Sequence, residues 1–72
     1  MKHFFTEKTN CLIVFIDAFN MKTICQIADV IESKHPESVT EVTYNFKAKQ
    51  GSIILKKDSI EFLDDIKDII DP

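Results

Sequence analysis

The 72-residue chain is expected to form a single α+β domain, a two-layer sandwich in the order (β)βαββα, with a three- or four-stranded sheet and two helices on one face. Three observations predict it. Cys11-Leu12-Ile13-Val14-Phe15-Ile16-Asp17 is an unbroken apolar run closed by an acid, too short for a membrane and without helical spacing, which reads as a buried strand. Ile24, Ile27, Ala28 and Ile31 then follow the i, i+3, i+4, i+7 template of an amphipathic helix. Beyond Pro36, Val42, Tyr44 and Phe46 alternate with polar residues, the period of a strand with one wet face.

Taken in order, Lys2–Thr6 can form a short first strand, and Glu7–Asn10 a polar turn into the 11–17 strand. Asp17 or Asn20 supplies the side-chain oxygen that caps the first helix. That helix runs from Met21 to Lys34 and stops because Pro36 disfavours helical angles at His35. Phe19 and Met21 are expected in the core or in a packing staple. A strand over Val39–Lys47 follows, then a hairpin turn at Ala48-Lys49-Gln50-Gly51, where the only glycine lies, and a returning strand over Ser52–Lys56. Asp58-Ser59-Ile60-Glu61 matches a capping box with aspartate as the cap, opening a last helix whose stripe is Phe62, Leu63, Ile66, Ile69 and Ile70.

Composition narrows the function. Hydrophobic residues make up 44% of the chain, enough for a folded core, and no run approaches the 18 apolar residues of a membrane helix. The first residues lack the apolar stretch of a secretory signal, so an intracellular, cytoplasmic setting with no membrane partner is the expectation. All nine basic residues are lysines and the net charge is −3, which argues against sequence-specific reading of nucleic acid, a task that favours arginine forks. Cys11 and Cys25 have neither the spacing nor the histidine neighbours of a zinc site and read as buried apolar residues. His3 and His35 read as isolated surface residues. No cofactor, metal or catalytic set is expected. Asp17, at a strand end where α/β enzymes place acids, is the one residue an enzyme or carrier reading could use.

Charge is unevenly spread. Residues 58–71 hold six acids against Lys67 alone, and Glu61/Asp65 and Asp64/Asp68 are like-charge i,i+4 pairs, each destabilising by roughly 0.2–0.5 kcal/mol. Glu61, Asp64, Asp65 and Asp68 are therefore candidate contacts for a protein partner, the alternative being an acidic face kept for solubility. Lys47, Lys49, Lys56 and Lys57 concentrate the opposite charge on the hairpin, as protection of an edge strand or as a weak contact for nucleic acid or another copy's acidic helix.

In element order and length the stretch from Cys11 to Ile70 resembles the DinI family, small modulators of the RecA recombinase that share the βαββα order and an acidic last helix. The similarity rests on topology and charge, so it implies a regulatory binding role and assigns no residue. The histidine-containing phosphocarriers share a strand entering a helix, but Asn20-Met21-Lys22-Thr23 stands where their histidine, arginine and proline would be.

The apolar run carries side chains on both faces, and two amphipathic helices cover one. The other set needs its own cover. The expectation is a small non-enzymatic binding or regulatory module, acting through the acidic helix or through an open sheet face at Phe4, Phe5, Ile13 and Phe15. A second copy is the expected occupant of that face, which allows a structural homodimer subunit as the alternative; cover from within the chain by the N-terminal strand, through Phe4 or Phe5, is the competing outcome.

Overall fold

A computed structural model describes all 72 residues. The elements are β1 (His3–Glu7), β2 (Cys11–Asp17), α1 (Met21–Lys34), β3 (Val39–Asn45), β4 (Gln50–Lys56), a 3₁₀ turn (Lys57–Phe62) and α2 (Leu63–Ile70). They form the two-layer α+β sandwich, and the first strand is present, so the sheet has four strands. Their spatial order is β1-β2-β4-β3, and every neighbouring pair is antiparallel. β2 and β3, joined through α1, run in the same direction but do not touch; β4 lies between them.

Alternation decides the layers. Leu12, Val14 and Ile16 of β2 are buried, while Cys11, Ile13 and Phe15 remain half-buried. Ile53 and Leu55 of β4 lie beside Val14 and Leu12. Above them α1 presents Ile24, Ile27, Ala28 and Ile31, the positions its periodicity selects, and α2 presents Ile66 and Ile70. α1 rests on β3 and β4, the 3₁₀ turn rests against β2, and α2 sits beside α1. Both helices therefore occupy one face.

α1 begins where expected, and its cap is Asn20: the side-chain oxygen accepts the Thr23 amide at 3.0 Å. Asp17 is not the cap. It remains in β2, where its carboxylate accepts from Gln50 Nε2 at 3.3 Å. At the other end Glu32 stabilises the exit from α1 by accepting the backbone amides of Val39, at 3.0 Å, and Glu37, whose φ of 67° turns the chain toward β3. Those amide donors hold the Glu32 carboxyl below its ordinary pKa.

Three expectations are corrected. The β3–β4 turn comprises residues 46–49, so Phe46 lies beyond β3 and Gly51 inside β4. Asn45 makes the turn by accepting the Ala48 amide, and Lys49 adopts the left-handed conformation at φ 52°. Gly51 is required for packing: a Cβ there would collide with the Ile24 side chain. The capping box does not form either. Residues 57–62 wind as a 3₁₀ turn without a side-chain cap, and α2 has eight residues. Finally, neither cysteine is fully buried; both are free and half-exposed.

Candidate functional site

The sheet face opposite the helices has no element over it. The register sets it out in rows: Phe4, Phe15, Ser52 and Thr43 lie side by side, and Thr6, Ile13, Ile54 and Glu41 form the next row. Cys11 and Lys56 close one end, and Asp17, Gln50 and Asn45 the other. The rings of Phe4 and Phe15 stack with centroids 4.9 Å apart, yet Phe4 is 51% exposed. Apolar side chains thus fill the β1–β2 half and its border with β4, while Glu41, Thr43 and Asn45 make the β3 side polar.

Of the four residues expected on this face, the structure brings together Phe4, Ile13 and Phe15. Phe5 is on the opposite side. It pairs with Val14 and packs against the core beneath the helices, because neighbouring residues of a strand point to opposite faces. Ile54, not singled out from sequence, belongs to the open face; its position opposite Ile13 depends on β4 pairing directly with β2.

The acidic residues separate into two groups. Asp65 is engaged inside the molecule: it accepts from His35 Nε2 at 2.6 Å, with Lys34 Nζ 4.0 Å away. The His35 ring also stacks on Phe62 at 3.7 Å, joining the end of α1 to the start of α2. The bond from His35 and the charge of Lys34 lower the Asp65 pKa. His35 is therefore a structural link, which its sequence neighbours do not reveal. Asp71 likewise pairs with the Met1 ammonium at 2.9 Å, and that bond lowers its pKa. Asp58, Glu61, Asp64 and Asp68 remain exposed without an ion-pair partner.

The four hairpin lysines do not form one patch. Lys47 and Lys49 belong to the turn at one end of β4, and Lys56 and Lys57 lie at the other, about 20 Å away at the usual rise per strand residue. Lys56 faces Glu37 at 3.9 Å, and Lys57 pairs with Glu7 at 2.8 Å. β4 is an inner strand, so its lysines guard no edge of their own.

Asp17 borders a hollow of about 460 Å³ at the end of the sheet, lined also by Met1, Phe19 and Lys49. Its hydrogen-bond partner there is an amide side chain, with no histidine or thiol in the lining to complete an acid–base or nucleophilic set. Comparison with protein-family models, curated proteins and solved structures found no match.

Proposed function

We propose that this chain is a small non-enzymatic protein-interaction module whose uncovered sheet face associates with a second copy. The observation that carries the reading is the contiguous apolar set Phe4, Phe15, Ile13 and Ile54, exposed at Phe4 and half-buried at the other three, over which no helix or strand of the chain lies. A polar border at Glu41, Thr43 and Asn45 on one side and Lys56 at one end gives the centre-and-rim layout of protein interfaces.

Size sets the strength. Four strands about 4.8 Å apart and some six residues long at 3.3 Å each offer roughly 19 by 20 Å, on the order of 400 Å² per copy. Face-to-face pairing hides about 800 Å² in all before side-chain relief is added, below the roughly 1,200 Å² of stable specific interfaces and in the class of weak, transient ones. The dimer is accordingly weak, in the micromolar range or weaker, and concentration-dependent. The monomer is self-sufficient as a fold: its surface of 4632 Å² is close to the roughly 4,600 Å² that an 8.3 kDa monomer exposes.

Sedimentation equilibrium at low and high salt tests the reading. The wild type should dimerise at both salts, because apolar burial is not screened. A Phe4→Thr/Ile13→Thr variant, which keeps strand-forming residues, should remain monomeric and folded. A wild type that is monomeric at both salts up to its solubility limit overturns the proposal. A second reading rests on the unpaired carboxylates Glu61, Asp64 and Asp68, which leave the acidic segment of residues 58–71 free to dock a basic protein partner. Its sign is capture that Glu61→Gln/Asp64→Asn/Asp68→Asn abolishes.

A further inference from the structure

The end of the sheet where β2 enters α1 and β3 turns into β4 carries a second surface, independent of the open face. Phe19 is 87% exposed and Phe46 is 73% exposed, the highest values among the large apolar side chains that remain in solvent. They come from two loops held together: the Ala18 amide donates to the Lys49 carbonyl at 3.1 Å, and the Tyr44 hydroxyl donates to the Ala18 carbonyl at 2.7 Å. Phe46 rests edge-on against Tyr44 at 5.0 Å, so it is oriented by the fold but not covered by it. Met1 and Met21, 45% and 42% exposed, lie at the same end.

Around these apolar tips the charge is mostly positive. Lys47 and Lys49 occupy the turn, Lys22 the first turn of α1, and Lys2 precedes β1 beside Asp17. Against them stand Asp17, bonded to Gln50, and Asp71, neutralised by the Met1 ammonium. The polar side chains that could read a base edge are occupied by the turns themselves: the Asn20 oxygen caps α1 and the Asn45 oxygen holds the Ala48 amide. What remains for a partner is protruding hydrocarbon with lysines on the same loops and the adjoining first turn of α1.

We infer that this tip docks peripherally on an anionic lipid bilayer, Phe19 and Phe46 inserting at the headgroup boundary while Lys22, Lys47 and Lys49 meet the lipid phosphates and carboxylates. Aromatic side chains are at home in that zone, and juxtamembrane lysines are drawn to anionic leaflets. The sequence expectation of no membrane partner rested on the lack of a spanning segment, and no helix here is long and apolar enough to cross a bilayer. Surface attachment needs no such helix. With two aromatic anchors and a few lysines, binding is reversible and weakens with salt.

Co-sedimentation of the full chain with vesicles tests this, using pure phosphatidylcholine and a mixture containing about 30% phosphatidylserine. The wild type should pellet with the mixed vesicles and not with the neutral ones. Phe19→Ser/Phe46→Ser should reduce the bound fraction about tenfold or more, since each substitution removes the burial of a phenyl ring. Lys47→Gln/Lys49→Gln should reduce it and remove most of its salt dependence. Both pairs lie on exposed loops, and circular dichroism checks that the variants stay folded. Absence of wild-type binding to the mixed vesicles overturns the inference, as does undiminished binding of the phenylalanine variant. So does tight binding of a fluorescent single-stranded oligonucleotide that vesicles fail to displace.

Discussion

Gly51 shows how one residue joins two layers. Read along the sequence it looks like a turn former, because it is the only glycine and sits near a polar stretch. In the fold it is an inner-strand position over which Ile24 lies, and the space a methyl group would need is occupied by a β-branched side chain with little rotamer freedom. Gly51→Ala should destabilise the protein by about 1–3 kcal/mol, the range for an overpacked core, seen as a lower urea midpoint with an unchanged slope. Asp65 makes a different contribution. Its pKa in the folded protein is depressed, so it stabilises the fold above the ordinary aspartate value of about 3.9 and loses that effect as the pH falls through the folded pKa. Melting curves of the wild type and Asp65→Asn should therefore differ above the ordinary aspartate pKa and converge as the pH falls through the depressed pKa of folded Asp65. A gap that widened on acidification would contradict the pairing with His35.

Regular elements were legible in proportion to their periodicity. β2 and α1 repeat their signals over several turns or alternations, and the sequence ranges match the structure to the residue. The last element was not, because a cap pattern is a local signal that packing can override. Asp58-Ser59-Ile60-Glu61 has the letters of a capping box, yet the segment must also rest against β2 and bring Phe62 under His35, and it winds as a 3₁₀ turn to do so. Ser59 records the compromise: it is completely buried, and its hydroxyl has no hydrogen-bond partner. A buried unsatisfied hydroxyl is costly, so Ser59→Ala should raise stability by about 1 kcal/mol, visible as a higher melting temperature. A lower one would mean that the hydroxyl has a partner in solution. The candidate surfaces divide in the same way. Phe4, Ile13 and Phe15 follow from the two-sided apolar run of β2 and a plausible partner strand. A Phe-Phe pair cannot say which ring faces in, so Phe5 was indistinguishable from Phe4 until the register with Val14 fixed it. Phe46 continued the β3 alternation in sequence and was counted as strand, which concealed an exposed ring beyond the strand's end.

Strand order belongs to the whole molecule and has no local code. A strand-helix-strand passage leaves open whether its strands are neighbours, and here β4 enters between β2 and β3. That insertion places the most apolar strand, β2, in the interior of the sheet, with β4 bonded along one side and β1 along the other. β1 thus does more than fill a gap beside Phe5. It occupies the remaining row of amides and carbonyls on a strand whose side chains offer no charge until Asp17. An edge with that composition has none of the usual protections: no proline, no bulge and no inward lysine. The other edge of the sheet, β3, is protected by comparison, since its register shifts between Val39 and Glu41 and its outer face carries a carboxylate. A chain lacking residues 1–8 should retain the contacts of α1, β3 and β4 but expose the free side of β2. Its expected behaviour is self-association through that edge, rising with concentration and measurable by light scattering. The Phe4→Thr/Ile13→Thr variant of the full chain keeps β1 paired and should remain dispersed under the same conditions. A folded, monodisperse monomer from the shortened chain would show that β2 needs no covering strand.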